Sequence, residues 1–114
     1  MSDKYILVLC TCPDDVLAAR IATTLVSEKL AACVNRFPRM VSTYWWKGEV
    51  QSESEALLMI KTVDRLLEPL SKRIHDLHPY ELPEVIKLPI EGGSKRYLEW
   101  IGQNVAQCNS GECE

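Results

Sequence analysis

The sequence predicts an α+β fold, a ferredoxin-like β-α-β-β-α-β sandwich with an extended β-hairpin and an extra C-terminal helix. Apolar runs of strand length alternate along the chain with stripes of apolar residues at helical spacing. Two consecutive strands are joined by a short turn that contains a glycine, which indicates a hairpin. With 114 residues, of which 46% are hydrophobic, the chain is expected to form a single domain over residues 1–114, ordered from about residue 5 to residue 105.

The first β-α unit begins with an apolar run over residues 5–10, which is typical of a central strand buried on both faces. Pro13, Asp14 and Asp15 predict that a helix starts directly after it. Proline fits a first helical turn, and acidic side chains complement the positive end of the helix dipole. The apolar stripe of this helix recurs at every fourth position, at Leu17, Ile21 and Leu25.

The hairpin covers residues 41–62 and turns at residues 47–49, after a start at which Pro38 predicts a bulge or an edge position. Its first arm is rich in β-branched and aromatic residues, which favour strands. Side chains alternate between the two faces of a strand, so the apolar residues of the second arm occupy both faces. One face carries Ala56, Leu58 and Ile60, and the other carries Leu57 and Met59.

The length of the hairpin predicts an oligomer. A strand over residues 50–63 measures about 45 Å at roughly 3.3 Å per residue, whereas a compact domain of this size has a radius of gyration of about 13 Å. The hairpin should therefore overhang its own subunit. We expect other copies of the chain to bury its far end and the second apolar face.

A second helix, an edge strand and a last helix complete the predicted order. Asp64 is expected to cap the second helix, which ends at His78 because Pro79 follows. Prolines flank a short strand at residues 83–89, which suggests a sheet edge, and Ser94 is expected to cap the last helix. The two apolar stripes consist of Leu67, Leu70, Ile74 and Leu77, and of Leu98, Ile101 and Val105.

Charge and cysteine content exclude several classes of function. A formal net charge of −3 argues against a general nucleic-acid binder. Five cysteines without a C-x-x-C pair indicate neither a disulfide framework nor a structural zinc site, so the thiols are expected to be reduced. The sequence shows no signal peptide and no stretch of membrane-spanning length, which predicts a cytoplasmic protein that does not engage a membrane. Residues 107–114 are expected to form a flexible tail.

Five motifs, in this order along the chain, closely resemble the CutA divalent-cation tolerance proteins, and the resemblance runs from about residue 5 to residue 105. The motifs are EKLAACVN at residues 28–35, YWWKG at 44–48, MIKT at 59–62, HPYELPE at 78–84 and YLEW at 97–100. The resemblance implies a homotrimer similar to the PII signalling proteins, with a role in the response to copper and other divalent metal ions. It also implies copper ligands at Cys10 and His78, whereas Leu77 occupies the position of a second histidine in the family. No essential cofactor is expected.

The cysteines and the histidine also have structural interpretations. Cys10 and Cys12 can face the same side of a strand end and present thiolates to a soft metal such as Cu(I). Free cysteine is also among the most buried residue types, so packing is the competing interpretation, and it is stronger for Cys33. His78 is expected to end a helix and orient Tyr80, and the helix dipole there favours a protonated ring, which competes with metal binding.

A second set of residues is expected to line a cleft between subunits, where a small ligand would bind. The cleft residues are Trp46, Glu55, Lys61, Tyr80 and Glu84. Trp45 and Trp46 point to opposite faces of their strand. They could stack nucleic-acid bases, but the acidic net charge and the absence of an aromatic pair on the central strands argue against RNA binding. For Lys61, a solvated position at the sheet end is the simpler interpretation.

No enzymatic activity is predicted. Residues 11–15 contain no arginine or glycine to hold a phosphate, and no nucleophile–base pair is evident. Two functional classes remain after this exclusion. One is a metal-responsive or metal-binding trimer, and the other is a trimeric scaffold that senses a small molecule or docks an unidentified partner protein.

Overall fold

The computed structural model describes residues 4–107, so the predicted tail lies outside the described residues except for Gln107. The order of strands and helices matches the sequence prediction. A 3-10 turn at Asp64–Leu66 precedes the second helix. The elements are β1 (Tyr5–Cys12), α1 (Asp15–Ser27), β2 (Cys33–Trp46), β3 (Glu49–Val63), α2 (Leu67–Leu77), β4 (Ile86–Pro89) and α3 (Lys95–Gln103).

The four strands form one antiparallel sheet in the order β2-β3-β1-β4, with β4 at an edge as predicted. Helices α1 and α2 cover one face, where their apolar stripes pack against the buried side chains of β1 and β3. Helix α3 contributes Ile101 to a smaller cluster with Val63 and Tyr5. The rest of the second face is only half-buried, at Leu7, Leu9, Leu57 and Met59.

The helix starts show one correct and one incorrect capping prediction. Asp14 caps α1, because its Oδ1 accepts a hydrogen bond of 2.8 Å from the backbone N–H of Leu17. Asp64 does not cap α2: the N-cap position is Leu66, which makes no side-chain capping bond. The Asp64 carboxylate instead pairs with the ammonium group of Lys87 on β4. A contact between distant segments has therefore replaced the local one.

The hairpin overhangs the rest of the subunit, as predicted. Strand β1 pairs only with residues 56–63 of β3, so residues 49–55 contact β2 alone. The molecule is 48 Å along its longest axis, and its radius of gyration is 15.0 Å. The register between β2 and β3 shifts between Phe37 and Met40, which places the bulge expected at Pro38.

The turn of the hairpin consists of Lys47 and Gly48, with φ angles of 51° and 81°. Two consecutive positive φ angles are characteristic of a type I′ turn, whose twist matches that of the flanking strands. Glycine adopts this conformation without steric cost, which explains its position here. Between residues 4 and 107, no helix is long and apolar enough to cross a membrane.

Candidate functional site

Cys10, Cys12 and His78 meet at the end of β1. Their candidate ligand atoms all lie within 4.8 Å of one another, and all three residues are buried. The alternation of β1 sends Cys10 and Cys12 to the same face, toward α1 and α2, as the sequence predicts. The end of α2 brings His78 to the two thiols. Two sulfurs and one imidazole are donors that suit copper and other soft or borderline metals.

The ring of His78 connects two segments of the chain. Its Nε2 donates a hydrogen bond of 2.7 Å to the carbonyl oxygen of Thr11, and its Nδ1 accepts one of 3.2 Å from the backbone N–H of Tyr80. The ring centroids of His78 and Tyr80 are 4.5 Å apart. The histidine therefore orients Tyr80, as expected. This pattern of contacts requires a neutral ring, in contrast to the expectation from the helix dipole.

The two thiols share a proton unequally. A hydrogen bond between their side chains raises the pKa of Cys10 above its ordinary value, and burial and nearby carboxylates add to the effect. The same hydrogen bond lowers the pKa of Cys12, against the opposing effect of burial. Cys12 is thus the residue that becomes a thiolate first, with Cys10 as its donor. Cys33 is half-buried and lies outside the cluster.

A cleft of about 670 Å³ lies between the overhanging part of the hairpin and the segment that follows α2. Its walls combine aromatic rings with carboxylates. The aromatic residues are Tyr44, Trp46 and Tyr80, and the acidic residues are Glu53, Glu55, Glu81 and Glu84. Thr11 also lines the cleft, and its carbonyl oxygen accepts the hydrogen bond from His78. The cleft and the thiol–imidazole cluster are therefore neighbours.

Glu55 is the most deeply buried carboxylate of the cleft, with 7% of its surface exposed. The hydroxyl of Tyr80 donates a hydrogen bond of 2.8 Å to its Oε2. Burial, followed by this hydrogen bond and the negative charge of Glu55, raises the pKa of Tyr80 well above its ordinary value. Burial and the charge of Glu55 also raise the pKa of Glu84. The cleft is consequently a region of negative potential.

Four of the five cleft residues expected from the sequence line this cavity: Trp46, Glu55, Tyr80 and Glu84. Lys61 does not line it in the single subunit. Its ammonium lies 3.4 Å from the hydroxyl oxygen of Tyr97 on α3 and 5.5 Å from the centroid of that ring. The expectation that Lys61 joins a cleft between subunits stays a prediction.

Sequence reasoning missed three lining residues, Tyr44, Glu53 and Glu81. A signal for two of them was available in the alternation of the hairpin. Tyr44 shares a face of β2 with Trp46, and Glu53 shares a face of β3 with Glu55. Glu81 lies in an irregular segment after α2, where no periodicity indicates its direction.

The fold defines a small ferredoxin-like α+β protein with an overhanging hairpin, and comparison with known proteins identifies its family. Residues 6–104 match the family described as CutA1 divalent ion tolerance protein. The chain belongs to this family, as the sequence motifs predicted.

Relatives and solved structures agree with this assignment. The chain is 45% identical to the divalent-cation tolerance protein CutA of Thermus thermophilus over 97 residues, covering 85% of this chain and 94% of that protein. It is 49% identical to the chloroplastic protein CutA 1 of Oryza sativa over 96 residues, covering 84% of this chain and 54% of the rice protein. The crystal structure of CutA1 from Oryza sativa superposes with a TM-score of 0.91 at 44% identity, covering 94% of this chain and 98% of that structure.

The chain spans about half the length of the plant relatives, 54% of the rice protein and 53% of the chloroplastic protein CutA of Arabidopsis thaliana. It covers 99% of the solved Thermus thermophilus divalent cation tolerance protein, with a TM-score of 0.88 at 43% identity. The family therefore includes longer chains that share this fold, and chains of about the length of the fold alone.

Proposed function

We propose that this chain acts in the tolerance of divalent metal ions and binds copper through Cys10, Cys12 and His78. The observation that carries the proposal is the convergence of these three buried residues, whose donor atoms lie within 4.8 Å of one another. The name of the Thermus thermophilus relative, a divalent-cation tolerance protein, supports the same role. The proposed role is binding rather than catalysis.

The donor set fits copper in chemical type. Cys12 has a lowered pKa, so one thiolate is favoured before a metal arrives. Both nitrogens of His78 are engaged, by Thr11 and by Tyr80, so a metal at the ring must displace one of these contacts. The displaced hydrogen bond costs about 1 kcal/mol. This cost is small beside that of losing a metal–thiolate bond.

Copper titration of point variants tests the proposal. The native chain is expected to bind one Cu(I) in competition with a chromophoric chelator, and Cys10→Ser, Cys12→Ser and His78→Ala are each expected to bind about a hundredfold more weakly. Structural four-ligand zinc sites contribute about 10–16 kcal/mol, hence on the order of 3 kcal/mol per ligand. Leu77→His, at the last position of α2, is expected to strengthen binding.

Cys33→Ser is the matched control for the copper titration, because Cys33 lies outside the cluster. It is expected to bind copper like the native chain. Equal affinity of the native chain and the three loss variants, with no gain from Leu77→His, would show that copper is held elsewhere or not at all.

The proposal includes a homotrimer similar to the PII proteins. The support is a hairpin end that is apolar and open in the single subunit. Val41, Trp45 and Val50 are 68%, 73% and 61% exposed. Trp45 and Val50 are direct cross-strand partners, so they form one patch. The half-buried face at Leu57 and Met59 continues the apolar surface toward the body of the subunit.

A cytoplasmic location also belongs to the proposal. The thiols of Cys10, Cys12 and Cys33 are free, which is in keeping with a reducing compartment. Relatives are named for other compartments, including the chloroplast for the rice protein and the periplasm for a protein of Archaeoglobus fulgidus. Fractionation of the source cells tests this part of the proposal independently of metal binding.

A second candidate function is a trimeric scaffold or small-ligand sensor without a metal role, which docks a partner protein. The acidic aromatic cleft favours it, because a cavity of about 670 Å³ has the size of a small-molecule site. The copper variants distinguish the two functions. A sensor of this kind would keep its ligand affinity in Cys10→Ser.

A further inference from the structure

The cleft beside the hairpin has walls of one charge sign only. Its charged lining residues are four glutamates, and no lysine or arginine contributes to it. Three aromatic side chains, Tyr44, Trp46 and Tyr80, complete the lining together with neutral polar residues and Leu82. An anionic ligand such as a phosphate or a nucleotide would be repelled here. The charge of the cleft selects for a cation.

Glu55 supplies a second, separate indication of a cation. It is 7% exposed, yet none of the ion pairs formed within residues 4–107 includes it. Its one hydrogen bond comes from the neutral hydroxyl of Tyr80. Buried carboxylates are normally paired with a cation, because the loss of hydration is otherwise uncompensated. A positively charged group of a ligand would provide the missing partner.

The arrangement of the carboxylates excludes a bare metal ion as that partner. Within the described part of the chain, the one group of three or more converging metal donors is the Cys10–Cys12–His78 cluster. The glutamates of the cleft do not approach one another closely enough to form such a group. A volume of about 670 Å³ is instead suited to an organic molecule.

We propose that this cleft binds a small organic ammonium ion, with Glu55 as its counter-ion and the rings of Trp46 and Tyr80 as its apolar walls. Aromatic faces attract alkylammonium groups through their quadrupole, and the attraction grows when the site is shielded from water. Tyr80 positions the carboxylate through its hydroxyl, and His78 positions Tyr80. The ammonium site uses none of the three proposed copper ligands as a direct contact, so it stands or falls separately from copper binding.

Calorimetric titration with choline tests the proposal on the full chain in its native assembly. The matched probe is 3,3-dimethylbutan-1-ol, which has nearly the same shape and lacks the charge. Choline is expected to bind at least about tenfold more tightly than the neutral alcohol, from the combined cation–π and ion-pair contributions. Equal binding of the two compounds, or no binding of choline, would overturn the proposal.

Variants assign the binding to the cleft. Glu55→Gln keeps an oxygen acceptor for the Tyr80 hydroxyl and is expected to lower choline affinity at least about tenfold, as does the removal of one partner of a buried charge pair elsewhere. Trp46→Leu is expected to weaken choline and to spare the neutral alcohol. Glu91→Gln, an exposed carboxylate outside the cleft, is the control and should bind like the native chain. Unchanged choline affinity in Glu55→Gln, at unchanged thermal stability, would contradict the assignment. Competition by Mg²⁺ in place of choline would contradict the organic nature of the ligand.

Discussion

Replacing Leu58 with alanine is expected to lower the free energy of unfolding by about 3–4 kcal/mol. Leu58 lies on β3 opposite Cys10, and it is fully buried in the core beneath α1 and α2. The cost combines the lost burial of the side chain with the cavity that close-packed neighbours cannot fill. Chemical denaturation followed by circular dichroism, at one fixed protein concentration, measures it.

Leu82→Ala is the control for this substitution, because the same side chain is 75% exposed at position 82. Its expected cost is within about 0.5 kcal/mol, as for most surface substitutions. Similar costs at the two positions would mean that the sheet face at Leu58 is not the core of the subunit. The packing around Cys10 would then need revision as well.

Sedimentation equilibrium is expected to give the mass of three chains of 13.0 kDa for the native protein at low micromolar concentration. The double substitution Val41→Asp, Trp45→Asp is expected to weaken association at least about a hundredfold and to release single chains. A charge moved into an apolar interface costs about 3 kcal/mol or more, because it loses its hydration without gaining a partner. The substituted residues lie on the overhanging part of β2.

Val16→Asp is the control for the oligomer. It places the same charge at an apolar residue that is 82% exposed, in the first turn of α1, where an acidic side chain is favourable. The mass of three chains should persist in this variant. A native mass of one chain would contradict both the trimer and the explanation given for the open apolar patch.

The architecture could be predicted from the sequence because each element carries its own periodicity. The alternation of β3 and the glycine at position 48 define the hairpin, and Pro38 marks its bulge. Strand alternation likewise predicts that Cys10 and Cys12 share a face. These features depend on neighbours in the sequence, and local rules are sufficient for them.

Contacts between distant segments could not be predicted in this way. Asp64 has the correct residue type for a helix cap, but Lys87 on another strand takes its carboxylate. Lys61 lies on the face expected for β3, but α3 brings Tyr97 to it and the cleft lies further along the strand. Neither partner is identifiable from spacing, because each belongs to an element whose docking is set by the whole fold.

The candidate site was predictable in part. Cys10 and His78 follow from family motifs, and the structure adds that Cys12 and His78 lie close enough to share a metal. The proton arrangement of the His78 ring depends on Thr11 and Tyr80, which sequence reasoning did not connect to it. The helix-dipole argument considered one end of α2 alone. The hydrogen bonds from two other segments outweigh it.

X-ray absorption at the copper edge tests the metal site most directly, on native protein loaded with one equivalent of Cu(I) per chain. The convergence of Cys10, Cys12 and His78 predicts a first coordination shell of two sulfurs and one imidazole nitrogen. The sulfur contribution should fall by half in Cys12→Ser. A shell of nitrogen and oxygen alone in the native protein would contradict the site.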